Sequence, residues 1–415
     1  MLVTSDLPLR TRFAIAAART AAAVSRRTGR GSGGMIGGRI ALKLDPHALQ
    51  RLARGRIVLL VTGTNGKTTT TLMLRRAVEA LAPVTSNSDG ANMPDGVLAA
   101  LAANPDAPFA VLEVDETYLP WVAERVDPAA IVLLNLSRDQ LDRVGEVRKT
   151  ERELRAAIAR LADTVVVANC DDVLVASAAG AGNHPLWVST GQTWRDDSIA
   201  CPRCGRAVRH HPQDKMEWDC VCGLVRPRPE WVLDEDDLIG PDNPPERLEL
   251  NLPGRVNAAN AALALAAATC VGVPLSVAVQ RVRSITAVAG RYQRVPYAGH
   301  AVRVLLAKNP AGWCETLPLL EPDQPVVIAV NAREADGRDL SWLWDVPFER
   351  LRGRRVIATG ERAADLAVRL RYAEVDASAQ PDPLRAVASL GSGPVELIAN
   401  YTAFREVNTR LADVG

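Results

Sequence analysis

The stretch VTGTNGKTTTT, residues 61–71, decides how this chain is read. It follows the apolar run RIVLLV and leads into the helix-like stretch TTTLMLRRAVEAL. A strand, a glycine-bearing turn and a helix in that order form a phosphate cradle. Glycines let backbone N–H groups approach phosphate oxygens, the helix N-terminus adds the positive end of its dipole, and a lysine reaches the terminal phosphates. On this reading Gly63, Thr64, Asn65, Gly66, Lys67, Thr68 and Thr69 bind ATP, with Lys67 also acting catalytically and the Thr68 hydroxyl a ligand for Mg²⁺. The strict spacing G-x-x-x-x-G-K-[ST] needs a glycine where Val61 stands. A bare Gly-Lys-Thr is moderately specific, and the competing reading is a glycine turn capping a helix.

Outward from this loop, short β-rich runs alternate with Ala- and Leu-rich helical stretches through FAVLEVD, AAIVLLNL and TVVVANCDD, which predicts a parallel α/β sheet. Ligands of such sheets sit at the carboxyl ends of the strands, where Gly63, Glu113, Asn135 and Asn169 fall. In LEVDE, alternation places Glu113 and Asp115 on one face of a strand, with Glu116 near its end. Glu113 is the second expected Mg²⁺ ligand. A further α/β series, AVRVLLAKN, PVVIAVN, RRVIATG and PVELIAN, predicts a Rossmann-like domain over residues 296–415. The central domain is expected over 46–295, with a helical segment over 1–45.

The bulk numbers exclude some classes. A chain of 415 residues is too long for one ordinary core. Its 49 Lys and Arg residues balance 48 Asp and Glu residues, so no global field draws it to nucleic acid. The N-terminal stretch LRTRFAIAAARTAAAVSRRTGRG is broken by Arg19 and is too charged for a spanning helix or an export signal. It reads as an amphipathic helix of a cytoplasmic protein, packed on its own domain or lying peripherally on a partner or on the inner membrane face.

Four of the seven cysteines, Cys201, Cys204, Cys220 and Cys222, fall within a Cys-, Pro- and Arg-rich break in the pattern at about 196–232. CPRCG followed by CVCG resembles a zinc ribbon, in which thiolates clamp a structural Zn²⁺. The second knuckle is C-x-C where C-x-x-C is usual, so His210, His211 and Asp219 stand as alternative ligands. Arg206, Arg209, Arg226 and Arg228 lie nearby, but without interleaved aromatics they make a poor nucleic-acid surface.

TGTNGKTTT, with NLSRDQLDR at 135–143, PGRVNAAN at 253–260 and AGRY at 289–292, resembles the Mur ligase family, ATP-dependent ligases of peptidoglycan precursor synthesis. The resemblance implies a Mur ligase-like P-loop ATPase domain with Asn257 and Asn260 beside the adenine, Arg291 beside the phosphates, and Asp139 and Asp142 near the nucleotide. For the two asparagines, helix capping is the alternative. The loop SNSDGANMP at 86–94 is a candidate for the substrate side.

The cysteine insertion, the lack of a long N-terminal UDP-binding domain, and the blocks KNPAGWCETL and ADGRDLSWLWDVPFE resemble the branch of this family that amidates lipid II. In that branch the D-glutamate α-carboxylate becomes an amide through an acyl phosphate. Ammonia comes from a glutaminase subunit with which the ligase forms a heterodimer. The resemblance also implies that an aspartate of this chain completes the partner's Cys-His pair; Asp339 is the first candidate, Asp345 the second, and Asp336 lies in the same block. Family members that add amino acids use a carbamylated lysine, and here Lys149 is the only lysine in that region. An amino-acid-adding ligase of muramyl peptide or folate type, or a noncatalytic ATP-binding zinc scaffold, are the competing expectations.

Overall fold

The computed structural model describes residues 7–27, 34–87, 90–138, 147–192, 194–211, 217–241, 244–288, 292 and 294–413. The chain divides into two compact units. The first comprises Met1–Leu136, Arg148–Asn251 and Val256–Ile285, the second Ser137–Val147, Leu252–Arg255 and Thr286–Gly415.

In the first unit, helices α1 (Leu9–Arg27), α2 (Gly34–Leu44) and α3 (Ala48–Ala53) precede β1 (Ile57–Thr62). Then come α4 (Lys67–Val78), β2 (Val84–Thr85), α5 (Pro94–Ala103), β3 (Phe109–Glu113), α6 (Leu119–Val126), β4 (Ala130–Leu133), α7 (Val147–Ile158), β5 (Val165–Asn169), α8 (Val173–Ala179) and β6 (His184–Ser189). The strand order is β2-β3-β1-β4-β5-β6, all parallel, continued by β9 (Trp231–Asp234), which is parallel to β6, and by the antiparallel β10 (Asp237–Ile239) and β11 (Glu246–Arg247).

β1, β3 and β4 are almost wholly buried and almost wholly apolar, as expected for strands covered by helices on both faces. The chain leaves β3, crosses β1 and pairs β4 on its far side. The loop after β1 therefore sits at the switch point where ligands of open α/β sheets bind. α4 opens KTTTT, a β-branched run with poor helix propensity. Packing holds it helical, since Thr69, Thr70, Met73, Leu74 and Ala77 are buried. The cysteine-rich segment forms its own two-stranded sheet from β7 (Arg209–His210) and β8 (Trp218–Asp219). Helices α9 (Arg255–Cys270) and α10 (Leu275–Arg283) complete the unit; α9 is Ala-rich and buried along most of its length.

In the second unit, β12 (Arg294–Tyr297) and β13 (His300–Leu306) form an antiparallel hairpin. β14 (Val326–Ala329), β15 (Val356–Thr359), β16 (Ala377–Ala379) and β17 (Gly393–Ala399) join β13 in a parallel array, order β12-β13-β17-β14-β15-β16. Two separate apolar clusters pack on this sheet, one around Trp313, Leu343 and Phe348, the other around Leu384, Phe404 and Val407. No helix among the described residues is long and apolar enough to cross a membrane.

Candidate functional site

The loop after β1 is held by glycines and one asparagine. Gly63 has φ +137°, and a Cβ there would meet the Asn135 carbonyl oxygen at 2.9 Å. Gly66 has φ +85° and caps α4, and a Cβ there would meet Asn260 Oδ1 at 2.4 Å. Only glycine takes up both the left-handed backbone and the close approach. Asn135, just past β4, accepts the Thr64 N–H on its carbonyl (2.9 Å) and the Asn65 N–H on its Oδ1 (2.9 Å), and its Nδ2 donates to the Asn65 carbonyl (3.1 Å). The loop is thereby clamped from the neighbouring strand, at a residue that the sequence marked only as a strand end.

Lys67 opens α4 and is buried. Its Nζ donates to the carbonyls of Gly63 (2.5 Å) and Thr64 (3.3 Å) and to Glu116 Oε2 (3.0 Å). Burial alone would lower the ammonium's pKa, but Glu116, Asp115 and Glu113 more than offset it and hold Lys67 above the usual lysine range. Thr68 is half-buried at the first turn of α4, whose leading N–H groups lack intrahelical partners.

Glu113 ends β3 beside Val61 in register, and is buried. Asn87 exchanges two hydrogen bonds with its backbone (2.7 and 2.8 Å), and Asn92 Nδ2 donates to Oε1 (3.3 Å). Two residues of the 86–94 loop thus bond Glu113, Asn87 at its backbone and Asn92 at its carboxylate. Asp115 differs from the expectation of a strand position facing with Glu113. β3 stops at Glu113, and Asp115 instead accepts the Thr117 N–H and hydroxyl in a turn. That turn brings Glu116 to Lys67.

Asn257 and Asn260 are buried three residues apart on α9, hence on one face, and Asn260 abuts Gly66. Arg291, Asp139 and Asp142 lie outside the described residues. Lys149 stands on the exposed surface of α7 with Glu153 at 3.8 Å, an ordinary helix-surface pair.

The four cysteines converge. Cys201 Sγ is 3.7 Å from Cys222 Sγ, Cys204 Sγ is 3.4 Å from Cys220 Sγ, and all four sulfurs lie within 4.8 Å of one another. A tetrahedral ion with bonds of about 2.3 Å to sulfur sets sulfur–sulfur edges of about 3.8 Å, so this set could hold a metal; the separations are far too long for disulfides. The C-x-C spacing does not prevent closure: its turn is one residue tighter than the first, and the four sulfurs still meet. Gly205 N donates to the Cys201 carbonyl and Gly223 N to the Cys220 carbonyl (2.9 Å each), and both glycines have left-handed φ. His211 and Asp219 pair with each other at 2.7 Å, and Asp219 also takes Arg209; neither is among the clustered groups, nor is His210. The insertion is moored to the sheet by Arg226, which donates to buried Asp171 at 2.8 Å.

In the second unit, Asp336 is buried and accepts the N–H of Thr402 (2.8 Å) and its hydroxyl, which ties it to the start of α11 (Tyr401–Ala412). Asp339 and Asp345 are exposed. Asp339 accepts the Ser341 N–H (2.8 Å), which holds its carboxyl below the usual range. Asp345 meets Arg138 at 3.3 Å.

Comparison with known proteins agrees with this architecture. Residues 61–268 match the Mur ligase middle domain, and residues 306–404 match the MurT ligase C-terminal domain. The chain is 30% identical to the lipid II isoglutaminyl synthase (glutamine-hydrolyzing) subunit MurT of Staphylococcus aureus (strain N315), over 88% of each chain. It is 29% identical to the same-named subunit of Streptococcus pneumoniae, over 97% of each. Among solved structures, a pseudomurein peptide ligase type C from Methanothermus fervidus superposes with a TM-score of 0.67 at 18% identity, covering 87% of this chain and 79% of that one. Folylpolyglutamate synthase of Mycobacterium tuberculosis gives 0.61 at 15%, covering 89% and 93%. With a Gly63–Thr69 loop of this geometry and matches of this extent, the chain belongs to the Mur ligase family, among its MurT subunits.

Proposed function

We propose that this protein is the synthetase subunit of a lipid II amidating enzyme, converting the D-glutamate α-carboxylate of the stem peptide to D-isoglutamine. The observation that carries the reading is the buried Lys67 at the end of a glycine loop facing a carboxylate-lined strand end, in a chain whose relatives bear that name. A carboxylate is a poor acyl donor. One of its oxygens attacks the ATP γ-phosphorus, giving an acyl phosphate and ADP. Ammonia then adds to the acyl carbon, phosphate leaves, and the amide loses a proton to solvent. The protein's part is positioning and charge. Lys67 steadies the terminal phosphates, the N–H groups of Gly66–Thr69 cradle them, and Asn257 and Asn260 lie towards the adenine. Arg291 would lie beside the phosphates. Mg²⁺, held by Thr68 and Glu113, would neutralise charge on the transferring group. The four cysteines would hold Zn²⁺ in a closed structural zinc ribbon that leaves no position for chemistry.

Ammonia would come from a glutaminase partner bound at a Rossmann-like C-terminal domain. An aspartate that completes a partner's Cys-His pair must be exposed, which favours Asp339, then Asp345, over the internally committed Asp336. Trp344 is 55% exposed next to Asp345 and stacks edge-on with Tyr372, which is 71% exposed, the aromatic chemistry that interfaces use. A membrane-borne substrate would bring a cytoplasmic enzyme to the inner face of the membrane. The test is mass spectrometry of lipid II in detergent incubated with this chain, Mg·ATP and ammonium chloride, which bypasses the partner. Product lighter by the exchange of OH for NH₂, dependent on ATP and lost in Lys67→Ala, supports the reading. No product, even with a glutaminase subunit and glutamine added, sinks it.

A further inference from the structure

Helix α1 carries two different apolar faces, and the protein uses only one. Ala14, Ile15 and Ala18 are buried, and α1 packs against α2 so closely that a Cβ on Gly37 would meet the Ala18 carbonyl oxygen at 2.7 Å. The base of the helix is locked by a buried carboxylate: Thr11 Oγ1 donates to Asp45 Oδ2 (2.6 Å), and Arg51 donates to the same oxygen (2.7 Å). The helix is therefore a fixed part of its unit.

The outer face follows a second period. Leu9, Phe13, Ala16, Thr20, Val24 and Arg27 recur at steps of three and four residues, one stripe on a helix of about 3.6 residues per turn, and all are exposed. Leu9 is 81%, Phe13 66% and Val24 55% exposed. Arg12 and Arg19 run along one border of the stripe and Arg10 along the other. Arg10 and Arg19 donate to the backbone carbonyls of Leu44 and Ala102 (2.6 and 2.8 Å), which fixes them at the borders of the stripe, and among the described residues neither pairs with a carboxylate.

Charge is segregated to match. Residues 7–44 contain eight of the chain's 49 basic residues and none of its 48 acidic ones, which leaves the remainder with a formal excess of seven negative charges. The segment that carries the exposed Leu9 and Phe13 is thus strongly basic within a protein of formal net charge +1.

We propose that the outer face of α1 is a docking surface for an anionic lipid bilayer. Phe13 and Leu9 enter the headgroup boundary, and the flanking arginines meet lipid phosphates. Apolar side chains bordered by arginine, on a helix with no acidic residue, match an interfacial anchor; a protein partner for so basic a stripe would need a matching acidic groove. The inference rests on α1 and its charge, so it stands or falls independently of the amidation chemistry.

The experiment is co-sedimentation of the full chain with vesicles of phosphatidylglycerol and phosphatidylcholine mixed, or phosphatidylcholine alone, without lipid II or nucleotide. Binding is expected only to the mixed vesicles, and to weaken steeply in about 0.5 M salt. Phe13→Asp should reduce it by about tenfold or more, and Arg12→Glu by about fivefold or more. Both side chains are exposed, so thermal unfolding and ATP binding should match the unaltered chain. No binding to mixed vesicles, equal binding to both vesicle types, or undiminished binding by Phe13→Asp would overturn the proposal. So would a stable dimer in light scattering that Phe13→Asp dissociates, since the face would then cover a second copy.

Discussion

Lys67 Nζ lies 3.0 Å from Glu116 Oε2 and 2.5 Å from the Gly63 carbonyl oxygen, so the ammonium of the phosphate loop is turned back onto its own loop and a carboxylate. An incoming nucleotide must compete with Glu116 for that charge. Glu116→Gln removes the competitor and keeps the shape. It should tighten ATP binding by about fivefold, the equivalent of about 1 kcal/mol, in isothermal titration. Weaker binding would show instead that Glu116 serves the bound nucleotide or its metal.

Gly66 is constrained twice, by its left-handed φ and by Asn260. Gly66→Ala should abolish measurable ATP binding and lower stability by about 1–2 kcal/mol from backbone strain alone. Adding Asn260→Gly removes the steric neighbour but leaves the strain. The double variant should therefore recover only part of the lost stability in urea unfolding; full recovery would assign the whole defect to the Asn260 contact.

Asn135 makes three hydrogen bonds to Thr64 and Asn65. Asn135→Ala leaves the Asn65 N–H and carbonyl without their partner and should cost about 1–3 kcal/mol. ATP affinity should fall by at least tenfold while the sheet stays folded by circular dichroism. Unchanged affinity would mean that the loop is shaped by its glycines alone.

Removing metal tests the cysteine cluster. The purified chain should release zinc in proportion to protein on thiol titration, and Cys204→Ser should lose it. Because Arg226 moors the insertion on Asp171, loss of metal should expose residues 196–232 to protease while ATP binding persists. A chain purified under reducing, metal-sufficient conditions that holds no metal would contradict the assignment.

The phosphate loop was legible because glycines, a lysine and a β-to-helix change of period fall within a dozen residues. The role of Asn135 was not, because it depends on β4 lying beside β1, and strand order is a tertiary fact that no local pattern encodes. Which acidic residue reaches Lys67 turned on where β3 ends. Alternation extrapolates a strand past Glu113, whereas the hydrogen bonds of Thr117 to Asp115 close a turn there. The C-x-C knuckle looked short in sequence, but its turn at Gly223 closes one residue tighter than the turn at Gly205, and the sulfurs still come together. For α1 the sequence offered a helix packed on its domain or one lying on a partner or membrane, and only the burial of Ala14, Ile15 and Ala18 beside the exposed Leu9 and Phe13 separates its two apolar faces.

The acyl phosphate is the centre of the account, and isotope transfer tests it most directly. Lipid II labelled with ¹⁸O in the D-glutamate α-carboxylate would be incubated with this chain, Mg·ATP and ammonium chloride, and the inorganic phosphate analysed by mass spectrometry. The account predicts that label leaves the carboxylate and appears in phosphate in step with amide formation, and that Lys67→Ala abolishes both. Amide formed with unlabelled phosphate would contradict it, because the carboxylate oxygen would then never have been bonded to phosphorus.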